Sequence, residues 1–316
     1  MIDRNLTSEE EKCWQKIGKA DSIIITSHVH PDGDAIGSSL ALAKYCVAKN
    51  KSVRVIIDDD VPEIFSFLSG IESIENPNAE MRADLLVIVD TDPRRIGRVI
   101  KAETKSVLNI DHHDTNPREC DCHLIDGKCS STAELLYKWF VAENYIIDRE
   151  LAECLYTGLI TDTVFFKAHG STPYTFFVAG ELLKAGVDYQ IIAERVSEKS
   201  LADFRMSIKA FDQLESYRND TVVGVTLDES FQELELTDDI IDSLRYIRGV
   251  EVAYLLKRES LGGYRVRMRS QTVDVSAFAK RHGGGGHPDA AGYTIDIDSV
   301  DEVKERFIRD ILEWLE

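Results

Sequence analysis

The sequence predicts an α/β protein whose first domain is a parallel sheet with helices on both faces and whose second, smaller domain is a mixed α/β fold. Over the first half of the chain, short β-branched runs alternate with amphipathic helical stretches, which is typical of a parallel sheet covered by helices. After a long helical segment, strand patterns resume near residue 220. The length of 316 residues suits two ordinary domains.

Four strands and two helices define the first domain. Apolar and β-branched runs predict strands over residues 22–26, 52–57, 84–89 and 106–110. A helix is predicted over residues 35–49, with Asp34 placed to cap it. The capping-box sequence Ser131-Thr132-Ala133-Glu134 predicts the start of another helix, over residues 135–141.

Helical periodicity continues from residue 149 to 217, and Gly170, Pro173 and Gly186 stand where helices would begin or end. Beyond it, strands are predicted over residues 221–227, 250–257, 264–269 and 292–297, and helices over residues 274–280 and 300–315. The resulting division is a first domain over residues 1–190, a helical linker over residues 191–219 and a second domain over residues 220–316.

Charge and composition exclude several classes of protein. A net charge of −19 opposes the binding of long nucleic acids, because such binding draws its affinity from many Lys and Arg contacts to phosphate. Long DNA is therefore not an expected partner, although residues 245–281 hold nine Lys or Arg against three Asp or Glu. The apolar runs fall far short of the roughly 20 residues that span a bilayer, and residues 1–5 lack the pattern of a secretory signal. We expect a cytoplasmic protein without membrane contact and with reduced thiols, since six cysteines are too sparse for a disulfide framework.

Acidic and imidazole side chains stand where three predicted strands end and near the end of one helix. They are His28, Asp32, Asp34, Asp90, Asp111, His112, His113 and Asp162. Because the carboxyl ends of the strands of an open parallel sheet face one crevice, we expect these side chains to converge. Taken singly, each has an ordinary explanation, such as a helix cap at Asp90 or a turn at Asp162.

If the carboxylates converge, cations are needed to neutralise them. Two carboxylates about 4 Å apart repel by about 4 kcal/mol at an effective dielectric constant of about 20. Mixed carboxylate and imidazole ligands without thiolates favour Mn(II) or a similar divalent ion. Two ions that share one carboxylate are suited to stabilising the entering and leaving oxygens of a phosphoryl transfer. The acidic run over residues 58–60, in contrast, is interpreted as a solvated turn.

Four consecutive glycines at residues 283–286 allow backbone N–H groups to approach a phosphate closely. By themselves they fit a flexible loop equally well. The predicted helix before them and the basic strand that precedes it favour a cradle for a phosphate or a base. The predicted substrate-binding residues are Arg267, Arg269, Ser270, Gly284, Gly285, Gly286 and His287.

Five short motifs, in this order, resemble those of the DHH phosphoesterase family. They are His-x-x-x-Asp-Gly-Asp at residues 28–34, Val-Asp-Thr at 89–91, Asp-His-His at 111–113, Thr-Asp-Thr at 161–163 and Gly-Gly-Gly-Gly-His-Pro-Asp-Ala-Ala-Gly at 283–292. The resemblance is to the stand-alone type that acts as a nanoRNase and 3'-phosphoadenosine-5'-phosphate phosphatase, and it spans nearly the whole chain. It implies a Rossmann-like DHH domain, a DHH-associated domain and an active site in the cleft between them.

The resemblance also implies the ligands of two Mn(II) ions per subunit. One ion would be held by His28, Asp32 and Asp90, and the other by Asp34, Asp90, His112 and Asp162, so that Asp90 bridges them. His113 would donate a proton to the leaving oxygen, and Asp111 would orient the histidines. Val164-Phe165-Phe166 departs from the family pattern, which often carries Gly after Thr-Asp-Thr, and this departure bears on the substrate pocket more than on the metals.

For such an enzyme the expected substrates are short RNA oligonucleotides of about two to five nucleotides, hydrolysed to nucleoside 5'-monophosphates, and 3'-phosphoadenosine-5'-phosphate, hydrolysed to AMP. Cleavage of cyclic or linear dinucleotides is an alternative that the motifs do not separate from the first. A non-catalytic nucleotide-binding module is an alternative from another class, because such a module would keep the fold without the reaction. A homodimer is left open.

Overall fold

Two units make up the chain in the computed structural model, and they divide between Glu198 and Lys199. The structure describes residues 8–167, 170–232, 234, 237–260 and 262–316. Residues 1–5, from which the sequence analysis drew its expectation about a secretory signal, lie outside the described residues. Within the described part of the chain, none of the helices combines the length and the apolar character that crossing a bilayer requires.

The first unit contains a six-stranded sheet in which every pairing is parallel, as predicted. Its strands are β1 (Ser22–Thr26), β2 (Ser52–Ile56), β3 (Ile74–Glu75), β4 (Arg82–Val89), β5 (Glu103–Asp111) and β6 (Cys122–Ile125), in the spatial order β3-β2-β1-β4-β5-β6. The strands β3 and β6 were not predicted from the sequence. They have two and four residues, which is too short for a periodic pattern to appear.

Helical segments cover both faces of this sheet. The α-helices are α1 (Ser8–Lys19), α2 (Gly33–Ala48), α3 (Thr132–Ala142), α4 (Arg149–Asp162), α5 (Pro173–Lys184) and α6 (Tyr189–Ser197). They form the larger core together with alternate strand residues such as Ile23 and Ile25. On the opposite face Ile24 packs in a smaller core, which two 3₁₀ helices cover, Pro93–Arg95 and Gly97–Lys101.

The first residue of α2 is Gly33, and the prediction that Asp34 caps this helix is wrong. Asp32 is the cap, because its Oδ1 accepts hydrogen bonds from the backbone N–H groups of Asp34 and Ala35, both at 3.0 Å. The Asp-Gly-Asp sequence offers two suitable cap residues, and sequence alone does not choose between them. As a result the carboxylate of Asp34 does not cap α2 and lies buried in the first turn of that helix.

At the start of α3, the predicted cap Ser131 accepts a hydrogen bond from the backbone N–H of Glu134 at 3.0 Å. A capping box would also have the carboxylate of Glu134 accept from the backbone N–H of Ser131, and this hydrogen bond is not among the contacts described for Glu134. Its carboxylate instead accepts hydrogen bonds from the hydroxyls of Ser130 and Thr175, at 2.5 and 2.7 Å.

The second unit contains a mixed six-stranded sheet, in the order β11-β12-β10-β9-β8-β7, where only β8 and β9 pair in parallel among the described pairings. Its strands are β7 (Glu215–Tyr217), β8 (Val222–Leu227), β9 (Val252–Arg258), β10 (Tyr264–Arg269), β11 (Gly285–His287) and β12 (Ala290–Ile295). Its helices are α7 (Leu201–Phe211), α8 (Thr237–Arg245), α9 (Val275–Arg281) and α10 (Val300–Trp314). The mixed α/β class predicted for this part of the chain is confirmed.

Two features of this region differ from the sequence analysis. The helical periodicity assigned up to residue 217 ends earlier, because Glu215–Tyr217 forms an edge strand that pairs with β8. The segment treated as a linker, residues 191–219, contains most of α6 and all of α7 and β7. The domain limits themselves stay predictions.

Candidate metal centre

Six of the predicted side chains lie at the carboxyl end of the first sheet. The strands β1, β4 and β5 are consecutive in the sheet, so the residues that follow them are brought to one place. Two of the six come instead from helices that pack beside these strands. Asp34 lies in the first turn of α2, and Asp162 is the last residue of α4. The six are His28, Asp32, Asp34, Asp90, His112 and Asp162.

The first group of potential ligands is His28, Asp32 and Asp90. His28 Nε2 lies 3.8 Å from Asp32 Oδ2 and 3.8 Å from Asp90 Oδ2. One donor atom from each of the three falls within 4.8 Å of the others. Because Asp32 caps α2 through Oδ1, its Oδ2 is the oxygen turned toward His28.

The second group is Asp34, His112 and Asp162, whose donor atoms also lie within 4.8 Å of one another. His112 Nε2 is 3.3 Å from Asp162 Oδ2. The Nδ1 atoms of both His28 and His112 face backbone carbonyl oxygens, those of Val29 and Cys129, at 2.9 and 3.3 Å. A proton on Nδ1 leaves Nε2 as the ligand atom, which is the usual way that a protein orients a metal-binding histidine.

Asp90 lies between the two groups. Its Oδ2 faces His28, whereas its Oδ1 is 3.6 Å from His112 Nε2. The residue follows β4 in the left-handed region, with φ of 60°, while its N–H donates to Ile110 O at 2.9 Å. Aspartate is one of the few residues other than glycine that adopts this region readily, so the backbone can turn this carboxylate toward the crevice at little cost.

The electrostatics of these groups fit a site for divalent cations. Burial, followed by the carboxylates of Asp34 and Asp32, raises the pKa of Asp90 well above its ordinary value. Burial raises the pKa of Asp162 to about 7. Although burial alone would lower the pKa of His112, the surrounding carboxylates raise it to about 9. Carboxylates this close resist ionising together unless cations neutralise them, and a donor set of oxygens and imidazole nitrogens matches Mn(II) or a similar ion.

Asp111 and His113 form a pair beside this cluster. His113 Nδ1 is 2.6 Å from Asp111 Oδ1, and the amide of Asn116 donates to Asp111 Oδ2 at 2.5 Å. Although burial would raise the pKa of Asp111, the hydrogen bond with His113 lowers it, so Asp111 stays ionised. The carboxylate therefore fixes the ring orientation of His113. His113 Nδ1 also lies 3.9 Å from Asp90 Oδ1.

Neighbouring groups hold Asp34 in position, and the sequence analysis assigned none of them to the site. Its Oδ1 accepts from the hydroxyl of Ser38 at 3.0 Å and from the N–H of Ala133 at 2.9 Å, and its Oδ2 accepts from the N–H of Thr132 at 2.6 Å. The start of α3 thus points its unpaired N–H groups at a carboxylate, where the helix dipole favours negative charge.

Gly158 of α4 lies against Asp34 and explains why a glycine stands in the middle of this helix. A Cβ atom there would lie 2.5 Å from Asp34 Oδ1 and 2.8 Å from the Cβ of Ala133. Such distances are too short for any side chain, so α4 can approach Asp34 only because this position lacks one.

Gly158→Ala is therefore expected to displace Asp34 and to weaken Mn(II) binding by about 10- to 100-fold, together with a loss of stability of about 1–3 kcal/mol from overpacking. Calorimetric titration of chelator-treated protein and thermal unfolding would measure the two effects. The matched control is Gly180→Ala on α5, where an added Cβ meets nothing within 4 Å. That substitution should stabilise the helix and leave binding unchanged. Equal affinity in Gly158→Ala and wild type would refute the role of Gly158.

The acidic run at residues 58–60 is not simply a solvated turn. Asp58 pairs with Arg98, whose hydrogen bond holds the pKa of Asp58 below its ordinary value. Asp59 Oδ2 accepts from the backbone N–H of His30 at 2.8 Å and lies 2.8 Å from its Nδ1. The contact between Asp59 and His30 braces the loop that carries His28 and Asp32, and only Asp60 is exposed, as a solvated turn would have it.

The predicted substrate-binding residues belong to the second unit, where several have internal partners. Arg267 Nη1 lies 2.7 Å from Asp238 Oδ2, and Arg269 pairs with Asp238 and Asp242 at 2.7 and 3.1 Å. The hydroxyl of Ser270 donates to Glu251 O at 2.6 Å. The role of these side chains in substrate binding stays a prediction.

The glycine run is more regular than a flexible loop. Gly285–His287 forms β11 and pairs with β12, so that Gly285, Gly286 and His287 stand opposite residues 290–292. A Cβ on Gly284 would lie 2.1 Å from the carbonyl oxygen of Gly292, and one on Gly286 would lie 2.4 Å from that of Ala290. Close packing of the two backbones therefore accounts for glycine at these two positions, and the phosphate cradle stays a prediction.

Comparisons with known proteins cover both units of the chain. Residues 22–159 match the DHH family, N-terminal domain, and residues 211–316 match the DHHA1 domain. The bifunctional oligoribonuclease and PAP phosphatase NrnA of Thermus thermophilus is 31% identical, over 97% of this chain and 96% of that protein. A probable bifunctional oligoribonuclease and PAP phosphatase NrnA of Streptococcus mutans is 29% identical, over 88% of this chain and 90% of its own length.

Among solved structures, an exopolyphosphatase-related protein of Bacteroides fragilis is similar, with a TM-score of 0.86, 25% identity and coverage of 98% of both chains. The family models and the relatives account for both units and for nearly the whole length. The chain therefore belongs to the DHH family of phosphoesterases, which are metal-dependent hydrolases of phosphoester bonds.

Proposed function

We propose that this chain is a Mn(II)-dependent phosphoesterase that hydrolyses oligoribonucleotides of about two to five nucleotides to nucleoside 5'-monophosphates, and/or 3'-phosphoadenosine-5'-phosphate to AMP. The position of Asp90 carries the proposal. Its two oxygens face two separate groups of nitrogen and oxygen donors, which is the arrangement that a carboxylate shared by two cations requires.

In this proposal His28, Asp32 and Asp90 would hold one ion, and Asp34, Asp90, His112 and Asp162 would hold the other. When bound, such a pair supplies charge neutralisation and Lewis-acid stabilisation of the phosphoryl group. His113 would hold the proton that the leaving oxygen takes up. Asp111 anchors its Nδ1 at 2.6 Å, so the Nε2 edge of the ring would face that oxygen.

Two observations support a short substrate. The net charge of −19 repels a long polyanion, whereas a dinucleotide or a single nucleotide carries only a few phosphates. The names of the relatives also pair an oligoribonuclease with a PAP phosphatase. Both activities remove a terminal nucleotide or phosphate from a small molecule, which is compatible with one site.

A substrate panel tests the proposal. Initial rates with Mn(II) would be compared for a 5'-phosphorylated dinucleotide, a pentaribonucleotide, 3'-phosphoadenosine-5'-phosphate, a cyclic dinucleotide and a long single-stranded RNA. We expect multiple turnovers on one or more of the first three and at least about tenfold slower turnover, per molecule, of the long RNA.

Several outcomes of the panel would contradict the proposal. If the cyclic dinucleotide is turned over faster than the first three substrates, the chain is a cyclic-dinucleotide phosphodiesterase. If the long RNA is turned over as fast as the short substrates, the proposed limit on substrate length is wrong. Binding of nucleotides without turnover in saturating Mn(II) would indicate a non-catalytic module. Repeating the panel at a higher salt concentration shows whether charge repulsion or the shape of the site slows the turnover of the long RNA. Repulsion between exposed charges weakens as the ionic strength rises.

A further inference from the structure

Thr132, the first residue of α3, contacts two of the proposed ligands through different atoms. Its backbone N–H donates to Asp34 Oδ2 at 2.6 Å, and its hydroxyl donates to Asp90 Oδ1 at 2.9 Å. The side chain is completely buried. Asp34 and Asp90 come from α2 and from the end of β4, so this one residue joins two segments that are far apart in sequence.

The hydroxyl of Thr132 is used differently from the threonine hydroxyls of α4 and its C-terminal end. Those of Thr157, Thr161 and Thr163 donate back to carbonyl oxygens four residues earlier, as threonine usually does within a helix. Thr132 stands at the first position of its helix, where no helical carbonyl lies one turn before it. Its hydroxyl reaches Asp90 instead.

We propose that Thr132 is a positioning residue, which fixes Asp34 and Asp90 relative to each other and so sets the spacing of the two cation positions. This inference rests on the proposed function. The donor on Asp90 Oδ1 restrains rotation of the carboxylate, which keeps Oδ2 toward His28 and Oδ1 toward His112. Without that restraint one oxygen can turn away from its group of donors.

The hydroxyl can be removed without removing the other contacts. The N–H groups of Thr132 and Ala133 would still bind Asp34, and Ser131 would still cap α3. Thr132→Val keeps the branched shape and loses only the donor. Thr132→Ser keeps the donor and loses a methyl group. The control is Thr157→Val, at an equally buried threonine of α4 whose hydroxyl bonds only within the helix.

The experiment measures Mn(II) binding to chelator-treated protein by calorimetry, together with kcat and KM on the best substrate of the panel and the melting temperature without metal. We expect Thr132→Val to bind Mn(II) about 10- to 100-fold more weakly and to lower kcat more than it changes KM. Thr132→Ser and Thr157→Val should stay within a few-fold of wild type.

The outcomes separate this inference from the function on which it rests. Wild-type protein that neither binds Mn(II) nor turns over any substrate contradicts the proposed function. Wild-type protein that binds, with Thr132→Val binding equally well, overturns the inference alone. If Thr132→Val does not fold, Thr132→Ala replaces it, and equal Mn(II) affinity in Thr132→Ala and Thr132→Ser overturns the inference.

Discussion

Replacing Asp90 by Asn is expected to reduce hydrolysis of every phosphoester substrate by on the order of a thousandfold or more, and to make the metal-free protein more stable. Asp90 is buried, and the pKa of its carboxyl is raised by burial and by the carboxylates of Asp34 and Asp32. Its charge is therefore unfavourable in the fold unless cations are bound. Asparagine has the same shape, tolerates the left-handed backbone of residue 90 and can still accept the hydrogen bond from Thr132.

Asp84→Asn is the matched control because it makes the same change at the other end of β4. The hydrogen bond from Lys105, followed by those from the backbone of Ser22 and Asp21, lowers the pKa of Asp84, so its charge is favourable in the fold. Asp84→Asn should lose stability and keep the rate, which is the opposite of the result expected for Asp90→Asn. Rates and metal-free melting temperatures of the two variants would be measured side by side. An Asp90→Asn enzyme that retains most of its rate is incompatible with a shared carboxylate.

The position of the site could be predicted from the sequence because the ends of buried strands can be recognised in it. Apolar runs followed at once by Asp or His are visible without any knowledge of tertiary contacts, and the parallel order gathers the ends of β1, β4 and β5. The alternating pattern also placed β10 at its observed limits, since Tyr264–Arg269 was predicted over the same residues. Short strands such as β6 carry too few residues for such a pattern.

The contacts that hold the site in shape could not be predicted. Thr132 appeared in the sequence only as part of a helix start, and its bond to Asp90 depends on how α3 packs on the sheet. Gly158 was not singled out in the sequence, although its missing side chain makes room for Asp34. Both roles arise from residues that are distant in sequence, which periodicity and capping rules do not describe.

The ion-pair partners of charged residues in the second unit also could not be predicted from the sequence. Arg267 and Arg269 were predicted as substrate-binding residues because they stand on a basic strand before the glycine run. In the structure both pair with Asp238 of α8, about thirty residues earlier in the chain. Although partial removal from water would raise the pKa of Asp238, the charges of the two arginines lower it, so the three side chains form a connected ionic group. Counting charges along a segment does not reveal such partners.

Without divalent cations, the free energy of unfolding of the first unit is expected to fall as the pH rises from about 4 to about 9. Mn(II) should reverse this trend. Burial raises the pKa of Asp162 from 3.8 to about 7, so between these values the folded protein keeps a proton that the unfolded chain has released. The neighbouring carboxylates, against the effect of burial, raise the pKa of His112 from 6.5 to about 9, with the same consequence at higher pH. In both windows the folded state binds more protons than the unfolded state, and its stability therefore falls as the pH rises.

Mn(II) competes with these protons, so its stabilising effect should grow with pH. At a free concentration of about 100 times the dissociation constant, one bound ion stabilises the fold by about 2.7 kcal/mol, which is several degrees of melting temperature for a unit of this size. A Trp314→Phe background would let fluorescence report on the first unit, since Trp14 and Trp139 belong to its core and Trp314 packs in the second unit. Carboxyls with lowered pKa values, such as Asp58 and Asp111, titrate below this pH range and do not obscure it. Metal-free protein that becomes more stable between pH 5 and pH 8 would show that the folded state does not retain these extra protons, and it would contradict the close grouping of carboxylates and imidazole that a cation site requires.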